Sequence, residues 1–142
     1  MVRGVQPVVA RPAWHDRNPF VIMRGFSSVT GPHSMTDRWT YTVPAGKKAY
    51  IEFLCIKSIR ATAAGTAGTV VIQITYTPSG ASEQVLAATG LYTNTVGDKD
   101  EVTCGHALTM LAGDLLKGLT YDGSTGGTVN YLVVAKITEF DA

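Results

Sequence analysis

Charge is the scarcest thing in this chain. Of its 142 residues, 16% are charged, against roughly 25% in ordinary soluble domains. The net charge is +1, which excludes the general nucleic-acid binding that rests on neutralising many phosphates. Histidine is limited to His15, His33 and His106, and cysteine to Cys55 and Cys104. No stretch approaches the ~20 apolar residues needed to span a bilayer as a helix. Met1 to Ala10 holds one arginine and no sustained apolar run, so no secretory leader is expected.

These scarcities narrow the chemistry. A zinc site needs closely spaced sulfur and imidazole ligands, and Cys104-Gly105-His106 has no second pair to join it. The two cysteines read as buried free thiols, with one disulfide left open if their strands are neighbours. Ser79, Ser82 and Ser124 fall in turns with no nucleophile-elbow pattern, so no nucleophilic triad is expected. Glu52, Glu83, Glu101 and Glu139 contain no pair singled out for glycoside chemistry. Glu52 interrupts an apolar strand face and is expected to pair with a nearby Lys or Arg. The Gly123–Gly127 run leads into a strand, where a phosphate loop leads into a helix; it reads as a hairpin turn. Trp14, Trp39 and the tyrosines read mainly as packing residues. No catalytic, cofactor or metal residue is assigned, and the protein is expected not to be an enzyme.

What is present falls into two unlike parts, divided near residue 38. Residues 1–37 hold four of the six prolines, Pro7, Pro12, Pro19 and Pro32. Each fixes its own φ and disfavours helix at the residue before it, so this part is expected to be an extended or irregular arm. Unlike most disordered tails it carries large apolar groups, including Trp14, Phe20, Ile22 and Phe26. Burying such side chains is worth about 1.5–3 kcal/mol each, while ordering costs ~1–2 kcal/mol per residue. The arm is therefore marginal alone and gains order against a partner. Residues 1–38 contain five arginines, no lysine and two aspartates, about +3, which leaves the remainder about −2. Arginine favours bidentate contact with a partner's carboxylates. The expected partner-binding residues are thus Arg11, Trp14, Arg17, Phe20, Ile22, Arg24 and Phe26.

From residue 38 onward the pattern has period two. Trp39, Tyr41 and Val43 share one face, and Pro44-Ala45-Gly46 makes a turn. The long run Ala49–Ile59 is expected to place Ala49, Ile51, Phe53 and Cys55 on one side and Tyr50, Leu54 and Ile56 on the other. Thr69–Thr77 alternates cleanly, with Val70, Ile72, Ile74 and Tyr76 inward. Further strands are expected at Gln84–Ala88, Leu91–Val96, Val102–Met110, Leu115–Tyr121 and Val129–Phe140. In the first and last long strands both faces are partly apolar, which implies burial by the domain's own core on one side and by something else on the other. Some eight short strands without a credible helix predict an all-β fold, a jelly-roll-like β-sandwich or barrel over 38–142 with an extended N-terminal arm. Cupin jelly rolls use a His-x-His cluster, which this chain lacks.

Two segments carry a resemblance. Tyr41-Thr42-Val43-Pro44-Ala45-Gly46-Lys47-Lys48-Ala49, followed by a long strand and a small-residue loop, resembles an opening in structural β domains of tailed bacteriophages. Leu108–Asp114 and Ala135–Ala142 are similar in the same way. With its arm, the chain resembles capsid decoration (cement or auxiliary) proteins, those of phages with thermophilic hosts included. The likeness covers residues 38–142 better than the arm. It implies a structural virion protein, made in the host cytoplasm and seated on the outer capsid surface. The expected partners are other copies of itself, as a homotrimer, and the major capsid protein. No nucleic acid, membrane or small-molecule substrate is expected. The alternative is a phage tail, fibre or baseplate β module that binds a host-surface glycan.

Overall fold

The computed structural model describes residues 18–29, 34–104 and 108–142. Among them no helix occurs, and nine strands form two antiparallel sheets. The first sheet runs in the order β1 (Asn18–Val29), β9 (Thr128–Asp141) and β3 (Lys47–Thr62). The far edge of β3 is shared by β6 (Lys99–Cys104) and β7 (Leu108–Leu111), which pair with successive stretches of it. The second sheet runs β2 (Thr36–Thr42), β8 (Leu115–Asp122), β4 (Gly68–Thr77) and β5 (Gln84–Thr93). The expected all-β sandwich is what the chain forms. Its pairings are nested: β1 with β9, β2 with β8, β3 with β6 and β7, and β4 with β5. This is the order left by a long hairpin, closed at β4–β5, that has been rolled up on itself.

The core lies between the sheets. β4 and β9 contribute it by simple alternation, Val70, Ile72 and Ile74 from one and Val129, Tyr131, Val133, Ala135 and Ile137 from the other. Trp39, Leu116 and Met110 close it from β2, β8 and β7. At the Val43–Gly46 turn, the Lys47 N–H donates to the Pro44 carbonyl at 3.1 Å and Gly46 takes a φ of +75°. That conformation costs a residue with a Cβ about 1–2 kcal/mol.

β3 departs from the expected phase. Ile51 pairs with Ile137 but Phe53 pairs with Lys136, so Glu52 is an extra residue, a β-bulge. Beyond it the inward and outward sets exchange. Leu54 and Ile56 are fully buried in the core, whereas Phe53 and Cys55 point away from it, half-buried. The assignment of Phe53 and Cys55 to the face of Ile51 is therefore corrected. Three boundaries also differ. β5 is one strand where two were expected, and the run expected over 102–110 is divided into β6 and β7. β6 opens at Lys99, three residues before the expected start at Val102. Within the arm expected over 1–37, residues 18–29 form β1 and pair with β9 along their whole length. Pro19 sits second in this strand, which lies at the sheet edge where proline is tolerated.

Candidate interaction surface

The outer face of the first sheet is built by residues that alternate with the core. On β3 these include Phe53, Cys55, Lys57 and Ile59; on β9 they are Leu132, Val134 and Lys136. Register arranges them in rows across the sheet. The middle row, Val134–Cys55–Thr103, is uncharged, and the Thr103 hydroxyl lies 3.5 Å from the Cys55 sulfur. One flanking row is Lys136–Phe53, in which Lys136 Nζ meets the bulged Glu52 carboxylate at 2.6 Å. The other is Leu132–Lys57–Glu101, with Lys57 Nζ and Glu101 Oε2 3.3 Å apart. Glu52, expected to pair with a basic neighbour, does so and also accepts from the Thr138 hydroxyl at 2.9 Å.

Lys57 and Lys136 are each matched by a glutamate, Lys48 and Lys99 also stand on this face, and a largely apolar centre lies between two polar margins. That distribution is the anatomy of a protein–protein contact. Leu132, in the flanking row beside Lys57, is 37% exposed. The second apolar face anticipated for the long strands is therefore real, although the bulge changes which β3 residues occupy it.

Of the seven expected partner-binding residues, Arg11, Trp14 and Arg17 lie outside the described residues. Phe20, Ile22, Arg24 and Phe26 lie on β1, paired in register with Ile137, Ala135, Val133 and Tyr131. Those four β9 residues are the ones that face the core. His106 also lies outside the described residues, among which no cluster of metal-ligating side chains occurs. Cys55 is a free thiol that pairs in register with Thr103, not with Cys104.

The structure adds polar groups that the sequence did not single out. Arg60 is 1% exposed, placed inward by the phase change at Glu52. Its Nη2 donates to the Ser124 hydroxyl at 3.0 Å, and Ser124 donates in turn to Asp122 through both hydroxyl and backbone N–H. A buried guanidinium is tolerated only with such partners, so this chain ties the Gly123–Gly127 loop to β3. Nearby, Thr66 and Thr125 exchange backbone hydrogen bonds, which fixes the loop further.

On the outer face of the second sheet, Lys117 Nζ lies 3.1 Å from Glu83 and 3.5 Å from Asp37. The hydrogen bond to Glu83 is the main cause that raises the Lys117 pKa. Glu83 is lowered, chiefly by the Thr75 hydroxyl that donates to it and then by Lys117. Near the C-terminus the Tyr41 hydroxyl donates to Glu139 at 2.7 Å, and burial followed by that carboxylate pushes the phenol upward. Lys47 pairs with Asp141 beside it. These contacts secure strand ends.

No protein-family model and no curated protein sequence matches the chain. Several solved structures are similar in fold. Dimeric latent PorU from Porphyromonas gingivalis aligns at 12% identity and a TM-score of 0.51 over 89% of this chain and 13% of that one. A chain from the disulfide-linked pili of Bacillus endospore appendages aligns at 9% identity and 0.43, over 88% and 89%. A chain of infectious bursal disease virus, Gx strain, aligns at 8% identity and 0.46, over 89% and 32%. The chain spans only a small part of PorU and about a third of the viral chain. At these identities the PorU likeness concerns the fold alone.

Proposed function

We propose that this is a non-catalytic structural protein of a tailed-phage virion, which binds the outside of the assembled capsid and stabilises it as an oligomeric cement, most simply a trimer. Its nested strand order is read as that of a jelly roll. Contacts between subunits use the N-terminal residues, and the coat partner is the major capsid protein. The observation that carries this reading is the two-sided apolar character of the first sheet. β3 and β9 fill the core with one face and present Phe53, Leu132 and Val134 on the other. Low charge and the resemblance of residues 41–49 to phage structural domains support it.

The mechanism is physical. An oligomer that holds several modest contacts at once gains avidity through effective concentration. Because it binds the assembled shell and not free coat subunits, mass action stabilises the shell.

The test is removal of residues 1–17, which leaves β1 in place; a cut at 37 would also uncover the β9 edge. Co-sedimentation with expanded capsids of the phage that encodes the chain should fall by about tenfold or more, and the heat resistance that the protein confers should fall with it. Equal binding and equal heat resistance for the shortened chain would refute the role of the N-terminal segment. Binding to host glycans in place of capsids would favour a fibre module.

A further inference from the structure

We infer that the outer face of the first sheet is the seat for residues 1–17 of a second copy of this chain. The inference rests on the oligomeric reading above and names the surface that reading requires. Three observations support it: where the described chain begins, the local match of arginine with glutamate, and the distribution of apolar groups.

The described chain begins at Asn18, the first residue of edge strand β1, which pairs with Glu139. Seventeen residues precede it, with a reach of about 56 Å when extended. The sheet is only about 15 Å wide across its four strand positions. The segment is therefore long enough to leave its own sandwich, cross a neighbour's outer face and continue past it.

Arginine and glutamate can be matched locally. The segment carries Arg3, Arg11 and Arg17 against Asp16, and the face offers Glu52 and Glu101 beside its lysines. Glu52 and Glu101 stand on opposite sides of the uncharged middle row, half-exposed at 35% and 48%. The rows that hold them are four β3 residues apart, at Phe53 and Lys57, or about 13 Å. A guanidinium fork can bind a carboxylate that already holds one lysine. The spacing lets arginines grip both margins while Val5, Val8, Val9 or Trp14 rests on Val134 and Leu132.

Other surfaces carry less. Tyr92, Val85 and Val96 are exposed along the β5 edge, but nothing there is complementary to a particular occupant. The Arg60–Ser124–Asp122 chain is buried and ties the Gly123–Gly127 loop to β3.

The experiment needs no capsid, so its failure and that of the cement reading are separable. The full chain and its Leu132→Glu variant are compared by sedimentation velocity, with thermal melting to confirm that the variant folds. A synthetic peptide of residues 1–17 is then titrated into the chain that lacks those residues. The expected results are an oligomer for the full chain, a monomer for Leu132→Glu, and peptide binding that weakens about tenfold or more with Leu132→Glu. Binding should also weaken when Glu52 and Glu101 are both changed to Gln, a second variant that adds no charge to the face. A full chain that stays monomeric, or a peptide that binds every variant equally, would overturn the inference. So would an oligomer whose mass is unchanged by Leu132→Glu.

Discussion

Gly118→Ala is expected to lower the melting temperature by roughly ten degrees. Gly118 lies in β8 directly opposite Trp39 of β2. A Cβ at position 118 would stand 2.2 Å from the indole Nε1, 2.5 Å from Cε2 and 3.0 Å from Cδ1. These distances lie inside van der Waals contact, and Trp39 is buried in the core with little room to retreat. Either the indole leaves its rotamer or β8 shifts away from β2. Overpacking of this kind costs typically 1–3 kcal/mol and sometimes more. For a chain of this size, about 3 kcal/mol corresponds to roughly ten degrees.

Two controls isolate the cause. Gly90→Ala, where a Cβ meets nothing within 4 Å, should melt close to the parent. Trp39→Phe removes the crowded five-membered ring, so Gly118→Ala should cost much less in that background, a coupling that a double-mutant cycle reads directly. Trp39→Phe also removes a buried indole N–H that has no hydrogen-bond partner among the described residues, which offsets part of the lost packing. A Gly118→Ala protein that melts within two degrees or so of the parent would contradict the contact between Trp39 and β8.

Trp39 also shows how far the sequence can be read. Its place on an inward face followed from alternation with Tyr41 and Val43, but nothing in the sequence pointed to a glycine nearly eighty positions later as its seat. Alternation served well where a strand has one apolar face: Val70, Ile72 and Ile74 are where period two puts them. It failed on β3 because both faces are apolar there. A single extra residue at Glu52 then inverts the phase without leaving a sign in composition, and Arg60 enters the interior by the same inversion. β1 escaped notice because Pro19 and the surrounding prolines argue against regular structure, while its pairing with β9 spans more than a hundred residues of sequence. The outer face was legible in outline from the apolar character of both faces of β3 and β9. Of its ion-paired margins only Glu52's need for a basic partner was legible, since the choice of Lys136 and the whole Lys57–Glu101 pair depend on register.

Asp114, which lies between two of the expected strands, should also be costly to replace. Its carboxylate accepts from the Ser79 N–H at 2.8 Å, the Leu111 N–H at 2.9 Å and the Tyr76 hydroxyl at 2.8 Å. Its backbone carbonyl accepts from the Val43 N–H at 3.0 Å. One side chain thus ties the β4–β5 loop and the β7–β8 turn together beside the β2–β3 turn. Asp114→Ala leaves three donors unmatched in a largely buried place, and the expected loss is about 3 kcal/mol. Asp114→Asn keeps the shape but turns an amide N–H towards a donor, and should lose nearly as much.

The pH dependence follows from the same contacts. Burial pushes the Asp114 carboxyl upward, but the Ser79 and Leu111 amides and the Tyr76 hydroxyl together outweigh it and hold its pKa below the ordinary value. A depressed carboxyl contributes its full stability above the unfolded-state value, about 3.9. That contribution is lost as pH falls through the lower folded-state value. The melting-temperature gap between the parent and Asp114→Asn should therefore be constant from pH 7 to about 5 and shrink below about 4. Tyr76 gives the mirror image, pushed up to about 12 by burial first and then by Asp114. Its contribution is complete below the unfolded value near 10 and disappears as pH rises through the folded one, so Tyr76→Phe should draw closer to the parent in strong alkali. Melting curves for the three proteins across this range test both limbs. If the gap between the parent and Asp114→Asn were as wide at about pH 2.5 as at about pH 7, this carboxylate would hold no proton-linked stability, and the Asp114 contacts would not hold in solution.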